Sequence, residues 1–125
     1  MTVTIYHNPR CSTSRRVLAT LRAGGEEPEV IDYQRTPPDR ATIRRLIADA
    51  GLTVRAALRQ SGTPYDELGL SDPSLDDEAL LDAIEAHPIL LNRPFVVTSR
   101  GTVLARPPER VLEIMENPPA HVAEA

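Results

Sequence analysis

The 125 residues are enough for one hydrophobic core and too few for two, and 41% hydrophobic with 26% charged residues is ordinary for a globular chain. A net charge of −4 argues against a general nucleic-acid surface, and no apolar run approaches the length that crosses a bilayer. A lone cysteine excludes an internal disulfide, and with three scattered histidines (His7, His87, His121) it gives no zinc-ligand spacing, so no metal is expected.

The chain opens on Thr2 to Tyr6, whose alternating β-branched and aromatic residues predict a strand, without a basic-then-apolar leader, and a cytoplasmic protein is expected. Ser14 to Ala23 has apolar residues at Val17, Leu18 and Leu21, which is helical spacing, and Gly24-Gly25 is a C-terminal stop. Glu29 to Tyr33 predicts a second strand, so the opening is a right-handed parallel βαβ unit. A helix follows Thr36-Pro37-Pro38-Asp39, with Ile43, Leu46 and Ile47 inward; Val54 to Arg59 is a short helical piece. Tyr65 to Leu70 is a turn or short helix, and a further helix runs from about Asp76 to His87. After Pro88 the pattern returns to β: Phe95 to Thr98, a turn near Gly101, and Thr102 to Ala105 form a hairpin. Pro107-Pro108 opens a last helix, and Asn117 to Ala125 is expected to fray.

The order β-α-β, helical insert, β-β-α is that of an α/β thioredoxin-like fold: a small four-stranded mixed sheet flanked by helices, the insert (about 37–87) lying between the βαβ and ββα halves. Residues 1–116 then form a single domain and 117–125 a tail.

Cys11 falls where the first strand hands over to the first helix, the edge of an open α/β sheet at which ligands bind. A free thiol with pKa about 8.5 is only about 3% thiolate at neutral pH. Helix N–H groups from Ser12, Thr13 and Ser14, together with Arg10, Arg15 or a protonated His7, would all favour the thiolate. Two arginines stand before prolines at strand ends, Arg93-Pro94 and Arg106-Pro107, and Arg59 closes the short helical piece. All 14 positive side chains are arginine, so an arginine needs support from its setting. A thiolate among guanidinium groups suits a small tetrahedral oxyanion, because the cations bind two oxygens at once and neutralise charge that would repel the nucleophile.

The motif His7-Asn8-Pro9-Arg10-Cys11-Ser12-Thr13-Ser14-Arg15, the segment Pro64-Tyr65-Asp66-Glu67-Leu68-Gly69-Leu70, and His87-Pro88-Ile89-Leu90-Leu91-Asn92-Arg93-Pro94 with Arg106-Pro107 together resemble the glutaredoxin-coupled arsenate reductases. The resemblance runs from about Thr4 to Met115. It implies an arsenate reductase in which Cys11 is the nucleophile, His7 helps keep its pKa low, and Arg59, Arg93 and Arg106 bind the oxyanion. Asn8, Ser14 and Arg15 would complete the active-site loop, faced by Pro94 as a cis-proline. It further implies no bound cofactor: glutathione or another low-molecular-weight thiol is the co-substrate and glutaredoxin or an equivalent protein the partner of a monomer. The lone cysteine fits, since without a resolving thiol the electrons must come from outside.

Two other readings compete, and a third comparison is discarded. A thiol-disulfide oxidoreductase of the same fold would need Cys11 and could dispense with the arginines. A redox-responsive RNA-polymerase-binding regulator would want a Cys-x-x-Cys pair, but the second position is Ser14. The phosphatase-like arsenate reductases hold their oxyanion in a Cys-x5-Arg loop, and six residues after Cys11 stands Val17.

Overall fold

The computed structural model describes residues 2–124, which divide into two compact units: one built from residues up to Thr36 and from Arg93 onward, the other from Pro37–Asn92.

The first unit is organised on a four-stranded sheet of order β2-β1-β3-β4, with β1 at Thr4–His7, β2 at Glu29–Asp32, β3 at Phe95–Thr98 and β4 at Gly101–Leu104. β1 pairs parallel with β2 and antiparallel with β3, and β3 pairs antiparallel with β4, giving the mixed sheet expected. The crossover between β1 and β2 is α1, Ser12–Ala23. Its inward residues Val17 and Leu21 pack with Val3 and Ile5 from the β1 segment, Val96 of β3, Val103 and Ala105, and Val111, Ile114 and Met115. All of these are nearly inaccessible to water, so the apolar stripe of α1 that is legible as a period is also what fastens the helix to the sheet.

Three local expectations are corrected. Cys11 itself, with extended backbone, is the N-cap of α1, and the helix starts two residues early. Ser14 cannot cap because it is fully buried and its hydroxyl is engaged with His7 and Asn8. The last helix is a 3₁₀ segment, Pro108–Ile114, closed by bonds such as Arg110 N–H to the Pro107 carbonyl at 3.1 Å. Two successive prolines lack two of the donors a longer α-helix would use. The tail is also tied down: Ala123 N–H donates to Thr20 Oγ1 at 2.9 Å and Arg16 Nε to the Ala123 carbonyl at 3.4 Å, so it lies along α1.

The second unit contains α2, Arg40–Asp49, and α3, Asp77–Ala86, with short 3₁₀ turns at Arg55–Ala57 and Pro88–Leu90. Asp39 and Asp76 cap the two helices through Thr42 N–H and Ala79 N–H. Arg40 joins them through Glu78, Asp82 and Glu85. The segment from Pro64 to Leu70 is a run of turns, and Arg55 holds its end by donating to the carbonyls of Leu70 and Asp72.

Candidate active site

The loop between β1 and α1 is fixed by its own hydrogen bonds. Cys11 N–H donates to the Asn8 carbonyl at 3.0 Å, and Arg10 N–H donates to Asn8 Oδ1 at 2.9 Å, an Asx-turn that makes the chain reverse sharply before the cysteine. Ser14 locks that loop to the helix: Asn8 N–H donates to its Oγ at 3.1 Å, and His7 Nδ1 lies 2.6 Å from the same oxygen. Ser14 Oγ therefore bridges the Asn8 backbone and the His7 ring, the direction of the His7 bond being set by the tautomer of the ring. Arg15 folds back over the loop, with Nη1 donating to the Pro9 carbonyl at 3.0 Å.

Arg93 and Arg106 converge on this loop from the other half of the sheet. Both X-Pro bonds, Arg93-Pro94 and Arg106-Pro107, are cis; the first was anticipated and the second was not. Arg106 Nη1 lies 3.7 Å from Cys11 Sγ and 3.1 Å from the Arg93 carbonyl, so one guanidinium both faces the sulfur and joins the two strand ends. Arg93 is largely buried at the same sulfur, and among the described residues no hydrogen-bond acceptor reaches its Nε.

Partial burial by itself would push the Cys11 thiol up. The Ser14 backbone N–H and the guanidinium groups of Arg93 and Arg106 outweigh it, and the net shift is downward. Cys11 makes no conventional side-chain capping hydrogen bond, and the Ser14 N–H is the helix-start donor that acts on its sulfur. His7 behaves otherwise than a protonated neighbour would. Burial, followed by the positive charges of Arg15 and Arg22 against the opposing Asp32, lowers its pKa, and the ring is neutral at neutral pH. Its link to Cys11 runs through Ser14.

One residue of the site escaped the sequence reading. Tyr33 is almost fully buried, and burial first raises its pKa to about 12; the groups acting on it after that are Arg93, Cys11 and Asn8. The parallel register of β1 and β2 aligns His7 with Asp32, which brings the next residue, Tyr33, level with Asn8. Nothing local in the sequence sets that register: the expected strands Thr2 to Tyr6 and Glu29 to Tyr33, aligned end to end, would place Tyr33 beside Tyr6.

Cys11, His7, Asn8, Ser14, Arg15, Arg93, Pro94 and Arg106 thus all stand in the first unit, around one loop and the strand ends beside it. Arg59 belongs to the second unit, where its N–H donates to the Leu90 carbonyl at 2.7 Å and its Nε to the Ser61 carbonyl at 3.2 Å. Among the described residues no cluster of three His, Cys, Asp or Glu side chains is disposed to hold a metal ion, and no helix is long and apolar enough to cross a membrane.

The sequence profile of the ArsC family matches residues 6–114, which takes in the cysteine loop and both arginine-proline pairs. The chain belongs to the ArsC family. Among curated ArsC relatives, it is 61% identical over 115 residues to an arsenate reductase of Rhizobium meliloti strain 1021, covering 92% of this chain and 82% of that one. It is 53% identical over 113 residues to an arsenate reductase of Escherichia coli K12, covering 90% and 80% respectively. A solved arsenate reductase from Vibrio cholerae superposes with a TM-score of 0.87 at 46% identity, covering 92% of this chain and 98% of that one. The ArsC fold is accordingly the thioredoxin-like arrangement that the order of elements predicts.

Proposed function

We propose that the protein is an arsenate reductase that forms a covalent arsenic adduct on Cys11. The observation that carries this reading is the convergence of Arg93 and Arg106 on a cysteine whose thiol is shifted toward the thiolate. Arsenate is a tetrahedral oxyanion, and a negative nucleophile reaches it only where fixed cations cancel the repulsion. The Cys11 thiolate attacks arsenic, and one arsenate hydroxyl leaves as water, forming an S–As bond. Arg93 and Arg106 hold the remaining oxygens, with Arg59 as the third cation by family resemblance. Neutral His7 positions Ser14, and Asn8, Arg15 and Pro94 keep the loop in shape.

Reduction takes two electrons, which two thiols supply as they become a disulfide. With one cysteine in the chain these thiols come from outside. Glutathione or another low-molecular-weight thiol displaces a second hydroxyl of the adduct as water. The thiol of glutaredoxin or an equivalent protein then attacks that sulfur, forming a mixed disulfide while the released As–S electron pair reduces As(V) to As(III), and water cleaves the remaining Cys11–arsenic bond to free arsenite and the thiol. The protein works in this scheme as a cytoplasmic monomer, where such thiols are kept reduced.

The deciding assay is arsenate-dependent NADPH oxidation with glutathione, glutaredoxin and glutathione reductase, beside a control without arsenate. Turnover is expected with the wild-type chain and none with Cys11→Ser. Failure there and with other small thiols would overturn the reductase reading and leave a general thiol oxidoreductase.

A further inference from the structure

The first unit contains a groove of about 470 Å³ that the oxyanion chemistry does not use, lined by His7, Pro9, Arg15, Leu18, Ala19 and Arg22. Four of these residues, Arg15, Leu18, Ala19 and Arg22, recur at helical spacing and so form one stripe of α1. Cys11 heads the same stripe one turn earlier, its carbonyl accepting the Arg15 N–H at 3.0 Å. The opposite flank of α1 is taken by the tail at Arg16 and Thr20, and the inward flank by the core at Val17 and Leu21. The groove stripe is thus a flank of α1 that the tail leaves uncovered, with Leu18 partly buried against the core beneath it and Cys11 one turn before its first arginine.

Its chemistry is specific. The floor is apolar, from Pro9, Leu18 and Ala19, and the groove carries two guanidinium groups, Arg15 and Arg22. His7 is neutral and adds no charge, and the carboxylate of Asp32 acts on it from β2. Arg22 Nε already has a carboxylate 3.6 Å away, that of Glu27, in a well-exposed pair that can exchange for another carboxylate at little cost. The seven-residue separation of the two arginines along α1 corresponds to about 10 Å of helix rise. An extended tripeptide has about the same reach.

We propose that this groove binds the small reducing thiol: a peptide-like thiol bearing carboxylates, seated on Leu18 and Ala19, paired with Arg15 and Arg22, and extending its sulfur toward Cys11. The inference rests on the reductase reading above and adds the place where its co-substrate docks. It assigns a function to Arg22, which stands eleven positions beyond the nucleophile and takes no part in holding the oxyanion.

The test is a titration of the full-length, nitrogen-15-labelled protein with S-methylglutathione, which has the carboxylates and cannot react, followed by NMR. Amide shifts are expected at Arg15, Leu18, Ala19 and Arg22, and Arg22→Glu should weaken the binding about tenfold while leaving the rest of the spectrum in place. In turnover, Arg22→Glu should raise the KM for glutathione by a similar factor, leave the KM for arsenate unchanged, and have no effect when uncharged 2-mercaptoethanol replaces glutathione. Ala19→Gln, which fills the floor without altering charge, should weaken S-methylglutathione as well. Shifts elsewhere or none at all, or a glutathione KM indifferent to Arg22→Glu, would overturn the groove even if arsenate is reduced. Groove shifts that Arg22→Glu abolishes, in a protein that does not turn over arsenate, would support the groove and remove the reductase reading alone.

Discussion

At the scale of single residues, the site depends on the balance at one sulfur. Burial opposes the Cys11 thiolate, and the Ser14 N–H with two guanidinium groups favours it more strongly. Thiolate therefore dominates from a lower pH than for a free cysteine. The rate of Cys11 alkylation by iodoacetamide should rise with pH along a curve whose midpoint lies below that of a free cysteine thiol measured beside it. Arg106→Ala should move that inflection upward and reduce arsenate turnover by about 10²–10³, the usual cost of one donor to a developing oxyanion. Tyr33 stays a neutral phenol throughout this range because its pKa is held near 12.

At the scale of elements, α1 is the part on which most depends, and its two ends are differently protected. The N-terminal end is left open for the sulfur. The C-terminal end is closed by packing: a Cβ on Gly24 would collide with Met115 Cε and stand 2.9 Å from the Asn117 carbonyl oxygen. Met115 can shift but the backbone carbonyl cannot easily do so. Gly24→Ala should cost about 1–3 kcal/mol in urea denaturation. On α3 the Asp76 side chain accepts the Ala79 N–H at 2.9 Å, and Asp76→Ala should cost about 1 kcal/mol in the same measurement.

At the scale of the whole molecule, the buried His7 ties stability to pH. Its folded pKa lies below the usual 6.5, so below that value the unfolded chain takes up the proton first. Stability contributed by the neutral ring is complete above pH 6.5 and is lost as pH falls through the folded value. Urea midpoints should therefore fall as pH is lowered below 6.5, and His7→Asn, which keeps a hydrogen-bonding amide beside Ser14 and cannot titrate, should flatten that fall. An equal pH dependence in the variant would remove His7 as its source.

The sequence by itself determined the elements and the chemistry of the nucleophile, because both are local: alternation makes β1, the period of Val17 and Leu21 makes α1, and a cysteine between them must sit at a helix start. Arg93 and Arg106 were legible as cations at strand ends through their prolines. Tertiary structure alone decided which groups share the sulfur. Strand pairing brings Arg106 to Cys11 across 95 residues, and parallel register brings Tyr33 level with Asn8. It also decided the charge of His7, since a ring's pKa depends on burial and on the arginines folded around it, which no local pattern records.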